Sequence, residues 1–173
     1  MNRCRSLLAI ASLAAACTVS RAAEYSVTLT NVHLCCKGCV DDAVAAVTPV
    51  SGASAEADKT AQAVKITASS LATAQKAVDA LVAAGFYGQP SDAAIHLTQG
   101  AVPSGTVRSL SVSGVHLCCN KCVSSVNKAV AKVSGVTGTT AAKDADSFEI
   151  TGNFDAKAAI AALNAAGFSA KVN

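Results

Sequence analysis

Tryptophan is absent, and only two tyrosines and four phenylalanines occur in 173 residues. The chain therefore offers few of the rings on which nucleic-acid bases stack, and a stacking platform is not expected. Charge is also scarce, at 14% of residues. Its formal excess of +3 belongs entirely to Arg3, Arg5 and Arg21; without them 11 basic residues face 11 acidic ones. A concentrated basic patch, which nucleic acid or an anionic membrane surface would require, is missing. Glycine-rich phosphate loops are missing as well. Ser124-Ser125 have no nearby base, and Asp41-Asp42 occur only where acids suit the start of a helix, so no catalytic constellation is apparent and the chain reads as non-enzymatic. Long apolar runs are confined to Leu7–Ala16, far short of the ~20 residues of a membrane span.

That run, preceded by Arg3 and Arg5 and followed by Ser20-Arg21-Ala22, has the composition of a secretory signal over residues 1–22. The expectation is export to the periplasm or beyond the cell. Cys17, after Ala14-Ala15-Ala16, offers a rival lipoprotein reading, but the larger aliphatic residue usual three places before such a cysteine is absent.

What the chain has is a repeat. At an offset of 83, Val32-His33-Leu34-Cys35-Cys36 falls on Val115-His116-Leu117-Cys118-Cys119, and Cys39-Val40 on Cys122-Val123. Ala83-Ala84-Gly85-Phe86 likewise matches Ala165-Ala166-Gly167-Phe168. Two tandem units follow, 23–90 and 107–173, joined by a linker over 91–106 containing Gly100, Pro103 and Gly105. A flexible linker of this length spans roughly 20 Å, enough for the units to face each other or separate. Residues 23–100 carry four basic and seven acidic side chains and 107–173 the reverse, which favours contact between the units.

Each unit shows the same order of elements. Tyr25, Val27 and Leu29, and later Leu110 and Val112, alternate with polar residues and predict a first strand. Val40, Val44 and Val47, with Val123, Val126, Val130 and Val133 in the second copy, predict a helix with an apolar stripe, closed by Gly52 or Gly135. Two strands follow, then a helix beginning at Leu71 or Asp155 and ending at Gly85 or Gly167, then a last strand from Phe86 or Phe168. The expected fold is α+β: two ferredoxin-like β-α-β-β-α-β domains, each a four-stranded antiparallel sheet with both helices on one face.

This order puts Cys36-Lys37-Gly38-Cys39 and Cys119-Asn120-Lys121-Cys122 at the start of the first helix of each unit. Unpaired N–H groups and the helix dipole favour thiolates there. Two thiolates at C-x-x-C spacing select soft ions, Cu(I) first, with Zn(II) or Hg(II) as alternatives. The rival chemistries for the six clustered cysteines are a thiol–disulfide redox pair and structural disulfides in an interaction module. Bridges inside a five-residue cluster would close tiny loops and stabilise little.

The C-x-x-C after strand one, the following valine and the A-G-F that closes helix two resemble the heavy-metal-associated domain of copper chaperones, metal-ATPase modules and the periplasmic mercury-binding protein. The resemblance covers nearly all of both copies. It implies Cu(I)-type binding by Cys36 with Cys39 and by Cys119 with Cys122, and exchange of metal with a donor or acceptor protein. Where the family has Gly-Met, this chain has His33-Leu34 and His116-Leu117, and an additional cysteine, Cys35 or Cys118, precedes the motif. A third thiolate from Cys35 or Cys118, and after it an imidazole from His33 or His116, would raise the coordination number and move preference toward Zn(II). Alternation at a strand end would instead turn Cys35 toward the sheet while Cys36 faces the metal.

Overall fold

A computed structural model describes residues 24–173. The segment 1–22 expected to be a secretory signal, with Arg3, Arg5 and Cys17, lies outside the described residues. The first unit runs β1 (Tyr25–Thr30), α1 (Lys37–Val47), β2 (Ala53–Asp58), β3 (Ala63–Ala68), α2 (Leu71–Ala83) and β4 (Gln89–Pro90). The second runs β5 (Thr106–Ser113), α3 (Asn120–Val130), β6 (Val136–Thr139), β7 (Ser147–Asp155), α4 (Ala156–Ala165) and β8 (Lys171–Val172). The fold is α+β, with two four-stranded antiparallel sheets in the orders β2-β3-β1-β4 and β6-β7-β5-β8. That arrangement is consistent with two ferredoxin-like domains.

Strand alternation builds the core. Val27 lies opposite Ile66 and Leu29 opposite Val64, and all four are buried. In the second sheet Leu110 pairs with Ile150 and Val112 with Phe148, again buried. On α1 the buried line is Cys39, Ala43 and Val47, rotated from the expected Val40–Val44–Val47 stripe. On α3 it is Cys122, Val126, Ala129 and Val130. The small cysteine and alanine side chains let each helix approach its sheet closely, leaving the first valines on the flank. Leu71 opens α2 but is 42% exposed; Ala74, Ala77, Val78, Leu81 and Val82 form that helix's buried face.

Gly52 and Gly135 do not close their helices. Both α1 and α3 end earlier, at Val47 and Val130, and the glycines occupy positive-φ positions in the turns before β2 and β6. Gly85 and Gly167 do follow the caps of α2 and α4, with φ of 91° and 85°. The final strands start later than expected, at Gln89 and Lys171. Phe86 and Phe168 instead form an antiparallel bridge with each other. Tyr87 N–H donates to Gly167 O at 3.1 Å and Ser169 N–H donates to Gly85 O at 2.9 Å. The repeated A-G-F motifs thus join the two units through their backbones.

The connection between the units is tied down. Ser91 N–H donates to Thr28 O at 2.8 Å, and Gln75 and His96 exchange two hydrogen bonds of 2.7 and 2.9 Å. Ile95 is buried, and Leu97 and Val102 pack against the core. A segment expected to be a free spacer is a strap, because its few apolar residues have a surface to cover.

Candidate metal centre

The cysteine motifs of the two units face each other. Cys36 and Cys119 are the N-caps of α1 and α3, and neither side chain makes a capping hydrogen bond. One turn inside each helix, Cys39 and Cys122 point along the buried line and are completely buried. Cys35, Cys36, Cys118 and Cys119 are half-buried, and all six cysteines are free.

Within the first unit, Cys39 Sγ lies 3.6 Å from both Cys35 and Cys36. In the second, Cys122 Sγ lies 3.8 Å from Cys118 and 3.6 Å from Cys119. Across the units Cys35 approaches Cys119 at 3.4 Å and Cys122 at 3.6 Å, and Cys118 approaches Cys39 at 3.5 Å and Cys36 at 3.9 Å. Cys39 and Cys122 are themselves 3.9 Å apart. The six sulfurs form one cluster.

Cys35 does not turn away into the sheet. The segment from Val32 to Cys35 between β1 and α1 is not strand, so strand alternation does not govern it. Its sulfur meets thiols from the opposite unit, a surface that a single unit would not have. The same holds for Cys118.

Three sulfurs bound to one ion at about 2.3 Å lie roughly 4 Å apart in trigonal geometry and slightly less in tetrahedral geometry. The observed spacings suit soft-metal ligation with more than two thiolates per ion. His33 Nε2 or Nδ1 lies within 4.8 Å of Cys35 and Cys122 sulfurs, and His116 within the same reach of Cys118 and Asp42. Both histidine Nε2 atoms are buried without a hydrogen-bond partner. His116 Nε2 is 3.6 Å from an Asp42 oxygen, beyond hydrogen-bond range.

The electrostatics follow from crowding. Burial pushes the Cys35 thiol up to about 12, with its contact to Cys119 adding to the rise. Burial raises Cys118 as well, helped by Cys39. In the innermost pair, Cys122 donates to Cys39, which lowers Cys39 and raises Cys122. Two anions at that distance repel, so one thiolate forms and the other sulfur retains its proton. At the rim, the Cys122 backbone N–H, at the open end of α3, draws Cys119 down to about 7. Burial lowers the pKa of His33 and keeps it neutral. Incoming cations must displace the remaining protons.

The imidazoles also hold the interface. His33 stacks on Phe168 with ring centroids 4.3 Å apart, and His116 stacks on Phe86 at 4.4 Å. Each motif histidine therefore rests on the phenylalanine of the opposite unit. Sequence reasoning did not assign this role to Phe86, Phe168, Gly85 or Gly167. The available signal was the identity of A-A-G-F in both copies, more than a helix stop needs. Gln62, which bonds Leu34 through both ends of its amide and Val32 through its carbonyl, was also missed. Its place in the second unit is taken by Asp144, whose N–H donates to Leu117 O at 2.9 Å. Different residues hold equivalent loops, so the repeat could not reveal them.

A groove of about 310 Å³ between the units leads to His116 and Cys118 past Ala83, Ala84 and Asp144. Among the described residues, no helix is long and apolar enough to cross a membrane.

No protein-family model and no curated protein matches the chain. Among solved structures, the N-terminal soluble domains of Bacillus subtilis CopA align over 88% of this chain and 95% of that one, at 12% identity and a TM-score of 0.32. The reading of the site rests on its own residues.

Proposed function

We propose that the protein binds a soft metal ion, Cu(I) foremost, in the thiolate cluster between its two units, and sequesters it or passes it to another protein. The observation that carries this reading is the convergence of all six sulfurs, with cross-unit approaches of 3.4 to 3.9 Å. Soft thiolates select Cu(I) over hard cations, and Zn(II) or Hg(II) are the competitors. Cys36, Cys39, Cys119 and Cys122 are the principal ligands in this reading, with Cys35 and Cys118 beside them. His33 and His116 serve first as interface rings. The proposed role is non-enzymatic and in an exported protein, a reading supported by the leader-like composition of residues 1–22.

A second reading, thiol–disulfide exchange, draws on one specific observation. Cys119 is partly exposed, has its pKa held near neutrality at about 7, and lies 3.6 Å from Cys122. Such a thiol can attack a disulfide with its neighbour as resolving partner.

Native mass spectrometry of the reduced chain with Cu(I), Zn(II) and Hg(II) separates the readings. Retention of Cu(I) against a competing chelator, lost when Cys36, Cys39, Cys119 and Cys122 are all changed to serine, is the expected result. Retention by that variant overturns the assignment. Turnover in a disulfide-reduction assay, without metal retention, favours redox chemistry.

A further inference from the structure

The contacts among the six sulfurs have a definite connectivity. Nine pairs lie between 3.4 and 3.9 Å. Three more, Cys35 with Cys36, Cys36 with Cys119, and Cys118 with Cys119, fall within 4.8 Å. Each sulfur thereby neighbours four others and is opposite one: Cys35 opposite Cys118, Cys36 opposite Cys122, Cys39 opposite Cys119. Twelve edges on six vertices of this kind describe an octahedron.

Two C-x-x-C pairs acting independently would need only contacts within each unit. In an octahedron every triangular face offers three thiolates, and four faces can be chosen so that no two share an edge. Here these are Cys35–Cys36–Cys119, Cys36–Cys39–Cys118, Cys118–Cys119–Cys122 and Cys35–Cys39–Cys122. The first three are three-sulfur groups of metal-binding size. The fourth has edges of 3.6, 3.6 and 3.9 Å. Every sulfur belongs to two of the four faces, and three of the four faces take sulfurs from both units.

We propose that the six cysteines hold one cluster of four monovalent soft ions, each at a three-thiolate face and each thiolate bridging two ions, in place of two separate two-thiolate sites. This rests on the soft-metal reading above and adds its nuclearity. Cys35 and Cys118 become essential, because every one of the four faces contains one of them. Four monovalent cations and six thiolates leave a net charge of −2. The open ends of α1 and α3, roughly half a positive charge each, lie at Cys36 and Cys119 and offset part of it. Divalent ions would overfill the same set: four of them would leave +2 on a largely buried centre, which favours a monovalent occupant.

The test is anaerobic Cu(I) titration of the reduced chain, read by native mass spectrometry and by copper X-ray absorption. The expected spectrum passes from metal-free to four-copper protein with little of the one- to three-copper forms. The absorption data should show three sulfur neighbours per copper and a copper–copper shell. Changing Cys35 and Cys118 together to serine keeps both C-x-x-C pairs, and should cut capacity to two or fewer ions and abolish the copper–copper shell. Saturation of the unmodified chain at one or two ions without that shell overturns the cluster while the soft-metal reading stands. Failure to retain any Cu(I) overturns both. Should the double variant not fold, the copper–copper shell of the unmodified chain still decides.

Discussion

A Cβ placed on Gly167 would sit 2.3 Å from the backbone nitrogen of His33. The counterpart is as close: a Cβ on Gly85 would lie 2.4 Å from His116 N. Backbone from one unit thus touches backbone from the other directly beside the cysteine motifs. Gly167→Ala should force the units apart and add the cost of a side chain at positive φ, about 1–2 kcal/mol by itself. The thermal midpoint of the reduced chain should fall and Cu(I) capacity with it. Gly100→Ala, with nothing within 4 Å, should leave both unchanged.

The stacked phenylalanines should behave as one unit. Phe86 and Phe168 are each 1% exposed and bridge each other, so truncating either to alanine should cost about 3–5 kcal/mol in denaturant unfolding. Because they share partners, the double variant should cost less than the sum, with a coupling of about 0.5–3 kcal/mol. Strict additivity would show that they support their own domains independently.

Metal-free stability should depend on pH through the thiols. Cys119 falls from an ordinary 9.0 to about 7 in the folded chain. Between those values the unfolded chain holds more protons, so stability should rise with pH from about 7 to about 9. Cys35 is raised to about 12; above pH 9 the folded chain holds the extra proton and stability should decline. Anaerobic denaturation midpoints measured from pH 6 to pH 11 should show this maximum, and Cys119→Ser should make its rising limb shallower, leaving the share that the lowered Cys39 thiol contributes.

Mild oxidation of the metal-free chain should link the units. Cys35 and Cys119 are the nearest cross-unit sulfurs, at 3.4 Å, and need approach only to the ~2.05 Å of a disulfide. Peptide mapping should find this bridge, and prior loading with Cu(I) should protect both thiols. Bridges confined to Cys36–Cys39 and Cys119–Cys122 would count against the shared centre and for the redox reading.

Much of each unit was legible in its pattern. The alternation of Val27 and Leu29 and the three- and four-residue steps that end at Val47 placed β1 and α1, since burial of one face leaves that imprint on sequence. The C-x-x-C cysteines were legible as a pair because a helix start brings them together. The cluster was not, because Cys35 meets Cys119, its nearest sulfur, and Cys122 only when a second unit arrives. Val40 misled for a related reason: the buried line runs through Cys39, a small residue that periodicity of large apolar side chains passes over. The docked strap at residues 91–105 escaped because Ile95, Leu97 and Val102 are too few to form a period.

That strap has a consequence for binding at low abundance. Two half-sites on separate molecules would have to find one another, and dilution would dissolve their assembly. Joined by a short connection that also grips the first unit, each half meets the other at an effective concentration of the order of millimolar, whatever the protein level. Cutting the chain within residues 97–104 would convert a concentration-independent site into one that must assemble from two fragments. The covalent join would then supply binding energy that two separate half-sites would have to find by association.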